Sequence, residues 1–279
     1  MSSATSIGRS VGSLEIELGK LDGTLQEFLD DRSRFAGIMG PLGSGKTYTA
    51  ILRVLLMMLE QEPNENGIRP SRCIAVRNTY PDLTTTTIRD FREVFTEEFG
   101  TMTMGGLDPP TFHAGFDLSD GTRVECDVIF YALDREDAIR KLRGVQTTMF
   151  WLNEAKELQR DVVALADLRH GRYPSMVAGG VRATWHGIIA DTNAPDEDNW
   201  YYTAAHDTES PDWTFHRQPG GVIDTGNLDS HGRKVWRPNP DAENLPNLPD
   251  GYYERALQGG KSDDWIANML GNEYSFIVD

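Results

Sequence analysis

The sequence predicts an α/β protein with a mostly parallel sheet and helices on both faces. Three observations carry this expectation. Apolar runs of strand length alternate with longer stretches in which apolar residues recur at helical spacing. A glycine-rich turn joins the first core strand directly to a helix. Later apolar runs, at 147–152 and 187–190, lead straight into polar or acidic residues. Ligands of open α/β sheets bind at such carboxyl ends.

Taken in order, residues 1–13 are rich in Ser and Gly without an apolar centre. They read as a loose arm and not as a secretory signal. Residues 14–21 are short and amphipathic, a strand or a helical turn, and 24–31 read as a short helix. A buried strand at 34–39 runs into Gly40-Pro41-Leu42-Gly43-Ser44-Gly45-Lys46-Thr47. This stretch fits G-x-x-x-x-G-K-[ST], the phosphate-binding P-loop. Its glycines let successive N–H groups face one anion, and the positive end of the next helix aims at the same point. That helix, 47–59, carries Ile51, Val54, Leu55 and Met58 on one stripe.

A polar turn at 62–70 precedes a second buried strand at 71–78, which Pro81 stops. Residues 83–99 read as one helix with Ile88, Phe91, Phe95 and Phe99 on a face, its threonine run 84–87 offering N-caps. Residues 100–110 read as loop. Residues 112–118 and 122–133 form a hairpin across Ser119-Asp120-Gly121. A charged helical turn follows at 134–142, then a central strand at 147–152, a helix at 158–170, and strands at 187–190 and 213–216. From 219 Gly, Pro, Asn and Asp dominate to about 250, followed by helical stretches at 251–257 and 262–270 and an apolar strand at 274–278. The expected organisation is an N-terminal arm (1–23), a P-loop core (24–220) and a lid or linker subdomain (221–279). Ending on a strand reads as a piece cut from a longer chain.

Composition narrows the classes. The 279 residues, 39% hydrophobic and 25% charged, are those of a soluble globular protein. No apolar run approaches the roughly 20 residues a bilayer span needs, so no membrane association is expected. The net charge of −16 argues against wrapping nucleic acid by charge alone. It is compatible with a ring that grips DNA by a few cations inside a channel. Cys73 and Cys126 lie in apolar strands and read as buried free thiols. The six histidines show no ligand spacing, so a structural zinc site is not expected.

Within the P-loop, Lys46 can reach the β- and γ-phosphates and the Thr47 hydroxyl can ligate Mg²⁺. Nucleotide hydrolysis needs a second element, an apolar strand delivering a metal-organising acid and a base. Met149-Phe150-Trp151-Leu152-Asn153-Glu154 has that form, with Asn153 where Asp is usual. Glu154 is the candidate to polarise the attacking water. The plainer reading is a helix start, since Asn is a good N-cap. Asn193, in Asp191-Thr192-Asn193, can bond the γ-phosphate or the water and report nucleotide state, or the three residues form an Asx turn before Pro195. The P-loop holds no arginine, which leaves Arg143, before Gly144, as the best-placed cation for the γ-phosphate, with Arg135 and Arg140 reading as surface charge. Gln26 has the donor and acceptor that read adenine, or it lies on a helix surface. Arg32, Arg34, Arg89 and Arg92 read first as solvated charge and only weakly as DNA contacts.

Together these residues resemble the ATPase portion of a tailed-phage large terminase, the DNA-packaging motor. The carriers are Leu25-Gln26, Gly40 to Thr47, Arg77, Leu142-Arg143-Gly144, Phe150 to Ala155, and Asp191-Thr192-Asn193. The resemblance implies an ASCE/RecA-like core. It implies ATP as substrate with Mg²⁺ held at Thr47 and Asn153, adenine read by Gln26, and phosphate bound by Pro41, Leu42, Ser44, Lys46 and the loop glycines 40, 43 and 45. It implies Glu154 as the catalytic carboxylate, Arg143 as a finger reaching a neighbouring subunit's ATP, and Thr192-Asn193 as the coupling motif. The implied partners are double-stranded DNA, a portal protein, a small terminase subunit and further copies in a ring, in the host cytoplasm. Two departures stand out: no arginine in the P-loop, and Asn-Glu for the acidic pair. The RNase H-like nuclease that such proteins carry is not expected in these residues. Competing readings are a P-loop kinase, a helicase and a nucleotide-binding scaffold without turnover.

Overall fold

The computed structural model describes residues 10–11, 14–15, 21, 23–106, 108–133, 139–140, 142–176, 181–207 and 210–275. Its centre is an eight-stranded sheet of order β10-β3-β9-β8-β4-β7-β6-β5. The strands are β3 (Phe35–Met39), β4 (Ile68–Arg77), β5 (Gly100–Thr103), β6 (Thr111–Asp117), β7 (Arg123–Ala132), β8 (Met149–Asn153), β9 (Gly187–Thr192) and β10 (Trp213–Arg217). Strands β10 to β7 run parallel, and β6 and β5 close one edge antiparallel. Two-residue strands β1 (Ser10–Val11) and β2 (Leu14–Glu15) pair with each other ahead of the core.

The central strands are buried along their whole length and mostly apolar because both faces are covered. Every residue of β3, β8 and β9 is buried. Alternate side chains feed two cores. Ile38 and Trp151 join the core containing α1 (Gly23–Asp30) and α2 (Lys46–Leu59), with Phe28, Ile51, Val54 and Met58. Phe35, Phe150 and Leu152 join the opposite one, with Val162 of α5 (Arg160–Arg169) and Tyr201 of α6 (Trp200–Asp207). Each fully buried Leu, Val or Phe contributes about 1.5–3 kcal/mol, so these layers hold the sheet that carries the site. Among the described residues no helix is long and apolar enough to cross a membrane. Cys73 and Cys126 are buried free thiols.

Several elements differ from expectation. The helix expected over 83–99 is a short α3 (Tyr80–Asp82), a π-turn (Leu83–Thr87) and α4 (Ile88–Val94). Phe95 leaves helical geometry at φ −92, ψ 83. Phe95 instead meets Phe112, and Phe99 meets Phe116, at ring-centroid distances of 5.6 and 5.2 Å. Packing against the hairpin outweighs helical propensity there, and Gly100 onward becomes β5 instead of loop. The threonine run forms π-turns, not N-caps. Thr84, Thr85 and Thr86 turn their hydroxyls back onto carbonyls of residues 80–82. Helix α6 and an antiparallel pair, β11 (Val222–Leu228) with β12 (Lys234–Pro238), were not expected. Most of 134–142 and all of 276–278 lie outside the described residues, and Ser275 pairs with Asp196 through an isolated bridge.

After β10 the chain gathers a small core of its own. Val222, Ala242, Tyr253, Ile266 and Leu270 are buried there, with Leu42 of the glycine-rich turn packed against them. Tyr253 belongs to α7 (Tyr252–Leu257), and Ile266 and Leu270 to a π-turn (Ile266–Leu270) that continues α8 (Asp263–Trp265).

Candidate nucleotide site

The P-loop leaves β3 and enters α2 at the carboxyl end of the sheet. Gly43 and Gly45 sit at φ 78 and 81, the left-handed region that costs other residues about 1–2 kcal/mol. The outward carbonyls of the loop are tied down one by one. Tyr253 Oη donates to Leu42 O at 3.0 Å, Asn244 Nδ2 to Gly43 O at 2.8 Å, and Gln218 Nε2 to Ser44 O at 3.0 Å. The first N–H groups of α2, having no intrahelical acceptor, stay available to an anion. Lys46 is 6% exposed, its Nζ at 3.3 Å from Pro41 O. Gln218 Nε2 also donates to Glu243 Oε2, and Glu243 Oε1 accepts from Thr24 N. The start of α1 is thereby joined to the loop. Gln26, on that helix, donates to Asp30 Oδ2 at 2.7 Å and is half-buried.

Strand β9 stands between β3 and β8, so the ends of three adjacent strands meet beside the loop. Asn153 and Asp191 are direct register partners on β8 and β9. Asp191 is fully buried. Its Oδ2 accepts from the Thr47 hydroxyl at 2.7 Å and from Asn153 Nδ2 at 3.0 Å, and its Oδ1 from Trp151 Nε1 at 2.8 Å. Burial pushes this carboxyl up to about 6, and the Glu154 charge adds to the rise; the bonds from Trp151 and Thr47 and the Lys46 charge oppose it. Asn153 spends its other face on Thr87, whose hydroxyl donates to Oδ1 at 2.7 Å. Because a carboxylate accepts only, the amide nitrogen must face Asp191.

Glu154 follows at φ 51, ψ 57, a left-handed non-glycine residue of the kind that clusters at functional sites. Its Oε2 accepts from Asn193 N at 3.3 Å. Thr192 O accepts from Gly40 N at 3.1 Å, and Thr192 Oγ1 accepts from Lys156 N at 3.2 Å. Residues 192–193 therefore touch both the start of the P-loop and the Glu154 segment. Asn193 Oδ1 is buried with no partner among the described residues. At the end of β4, which pairs with β8, Arg77 reaches Glu157 Oε2 at 3.2 Å, while burial raises the Glu157 carboxyl. Arg143 has a different setting. It is exposed and lines an open groove of ≈ 860 Å³ with Arg140, Asp161, Leu165 and Leu168. Arg135 lies outside the described residues.

Lys46, Thr47, Asn153, Glu154, Thr192 and Asn193 thus come together, while Arg143 lines the open groove and Gln26 bonds Asp30 on its own helix. Sequence reasoning named Asp191 and Trp151 only as members of their motifs, with no role, and did not single out Thr87, Gln218 or Asn244. For Asp191 a signal existed: an amide at the expected acid position of one strand and an acid at the end of the next.

This sheet and this loop define an α/β protein with a RecA-like P-loop fold. Residues 37–273 match the family model described as "Terminase large subunit, T4likevirus-type, N-terminal", and the chain belongs to that family. The large terminase of a thermophilic bacteriophage superposes with a TM-score of 0.60 at 10% identity, covering 91% of this chain and 53% of that one. The HK97 bacteriophage large terminase gives 0.57 at 10%, covering 96% and 53%. The Thermus phage P74-26 large terminase ATPase domain gives 0.51 at 15%, covering 92% and 94%. At these identities the likeness is one of fold. The chain spans about half the length of the thermophilic-phage and HK97 proteins. No curated protein sequence matches it.

Proposed function

We propose that this chain is an ATP-hydrolysing motor that couples ATP breakdown to movement of double-stranded DNA into a procapsid. The observation that carries the reading is the convergence of Thr47, Asp191 and Glu154 at the mouth of the P-loop. Lys46 and the amides of the loop hold the phosphates, and Glu154 takes a proton from the attacking water. Facing hydroxyl and carboxylate oxygens are the hard donors Mg²⁺ prefers, so Thr47 fits as its protein ligand. When bound, the ion neutralises charge on the phosphates.

Arg143, exposed and on a groove of its own, suits action on a neighbouring copy's nucleotide, as a ring with a shared interface requires. Gln26 reads adenine, and Thr192-Asn193 carries nucleotide state onward because it contacts both Gly40 and Glu154. The thermophilic-phage large terminase has been solved with ADP and with ATP-gamma-S. Portal protein and small terminase subunit belong to this proposal as partners, the host cytoplasm as its place. These residues are proposed to lack nuclease activity, and cleavage of plasmid by a clean preparation supplied with Mn²⁺ would contradict that.

The test is ATP hydrolysis with and without double-stranded DNA and portal. Glu154→Ala and Arg143→Ala should each lose turnover by more than about 100-fold. Mixed together, the two variants should partly recover it, since one supplies the carboxylate and the other the arginine. Tight ATP binding with no turnover in the wild type would leave a scaffold, and phosphate transfer to a small acceptor would make it a kinase.

A further inference from the structure

P-loop enzymes place an aspartate at the end of the apolar strand that also carries the base, where it organises the metal with the P-loop hydroxyl. Here that position is Asn153, which brings no charge. We propose that the metal-organising carboxylate of this chain is Asp191, supplied by the neighbouring strand β9, with Asn153 as its positioning residue. The inference rests on the nucleotide-binding reading above.

Four observations carry it. First, the parallel β8–β9 register sets positions 153 and 191 directly side by side, so an acid on either strand reaches the same place. Second, the Asp191 carboxylate, not the Asn153 amide, faces the Thr47 hydroxyl, at 2.7 Å. Third, both oxygens of Asp191 are held in place: Oδ1 by the Trp151 indole, and Oδ2 by Thr47 and the Asn153 amide. Fourth, Asn153 Oδ1 already accepts from Thr87, while its amide nitrogen points to Asp191. That nitrogen is a donor and repels a cation.

Charge explains the exchange. Residues 153 and 191 are both buried and in contact. Two carboxylates there would repel one another in a poorly hydrated site, and one would be forced to keep its proton. The facing pair of positions holds one acid, and this chain carries it on β9. The amide at 153 converts a repulsion into a hydrogen bond. Mg²⁺ typically takes one or two protein carboxylates and completes its shell with phosphate and water, so Thr47 and a single acid suffice.

The test exchanges the pair. Binding of Mn²⁺, read by electron paramagnetic resonance, is measured with a non-hydrolysable ATP analogue on wild type, Asp191→Asn, and the double variant Asn153→Asp with Asp191→Asn. Analogue affinity without metal and thermal melting are measured alongside. Asp191→Asn should weaken Mn²⁺ binding by roughly 10–100-fold, while metal-free analogue affinity should not fall, because a negative charge beside the phosphates is removed. The double variant, with the same atoms exchanged across the register, should recover most of the loss. Unaltered Mn²⁺ affinity in Asp191→Asn overturns the assignment, as does a folded double variant no better than the single. A wild type that binds neither analogue nor Mn²⁺ overturns the nucleotide reading itself.

Discussion

Thr87 shows how one hydroxyl reaches the site from outside the loop. Its three neighbours in the threonine run bond their own backbone, but Thr87 is buried and donates to Asn153. Removing that donor leaves a buried acceptor unpaired and frees the amide to rotate away from Asp191. Thr87→Val should therefore cost about 1–3 kcal/mol in chemical denaturation and weaken metal-dependent nucleotide binding more than metal-free binding. Lys46 and Thr47 were legible as residues, because a P-loop is local: spacing along the chain fixes what faces the phosphate. Asp191 was legible as the end of a strand and as the first residue of a motif, but not in its role. Its partners Thr47, Trp151 and Asn153 come from other strands and helices, and only the register brings them to it.

Among elements, the junction of α5 with β9 carries a pH response. His170 closes α5 and His186 leads into β9, with their Nδ1 atoms 2.7 Å apart. One nitrogen donates and the other accepts, so the accepting ring must be neutral and the bond is lost when both are protonated. Burial lowers both, and the Arg34 charge helps bring His186 down to about 4 from 6.5. Asp167, beside His170, opposes its drop. The unfolded chain thus takes up these protons before the folded one does. The contribution is complete above about 6.5 and is lost as pH falls towards 4. Thermal melting followed across that range should decline in the wild type, and the decline should shrink in His186→Gln. Strands β3, β8 and β9 and helix α2 were foreseeable from apolar runs and helical spacing. The end of α4 was not, because Phe95 and Phe99 keep a helical spacing in sequence yet pack onto a distant hairpin. Trp200–Asp207 carried no clear apolar stripe to mark it as a helix.

At the scale of the molecule, the small core after β10 grips the P-loop from outside. Three successive loop carbonyls accept from Tyr253, Asn244 and Gln218, and Leu42 is packed into the small core itself. This arrangement pre-shapes the loop before any phosphate arrives. Tyr253→Phe keeps the packing and removes one donor. It should cost about 1 kcal/mol of stability, read by denaturation, and lower nucleotide affinity in a titration because the loop is less ordered beforehand.

The amino-acid sequence alone determined the class of this protein: the alternating α/β pattern, the phosphate loop, the strand ending in Glu154 and the family these define. Those features are encoded by neighbours along the chain, through apolar periodicity and backbone permissiveness. Tertiary structure alone decided which acid meets the Thr47 hydroxyl, where the aromatic helix stops, and that the C-terminal residues brace the loop. Each of these depends on which strand lies beside which and in what register, and packing between distant segments sets that.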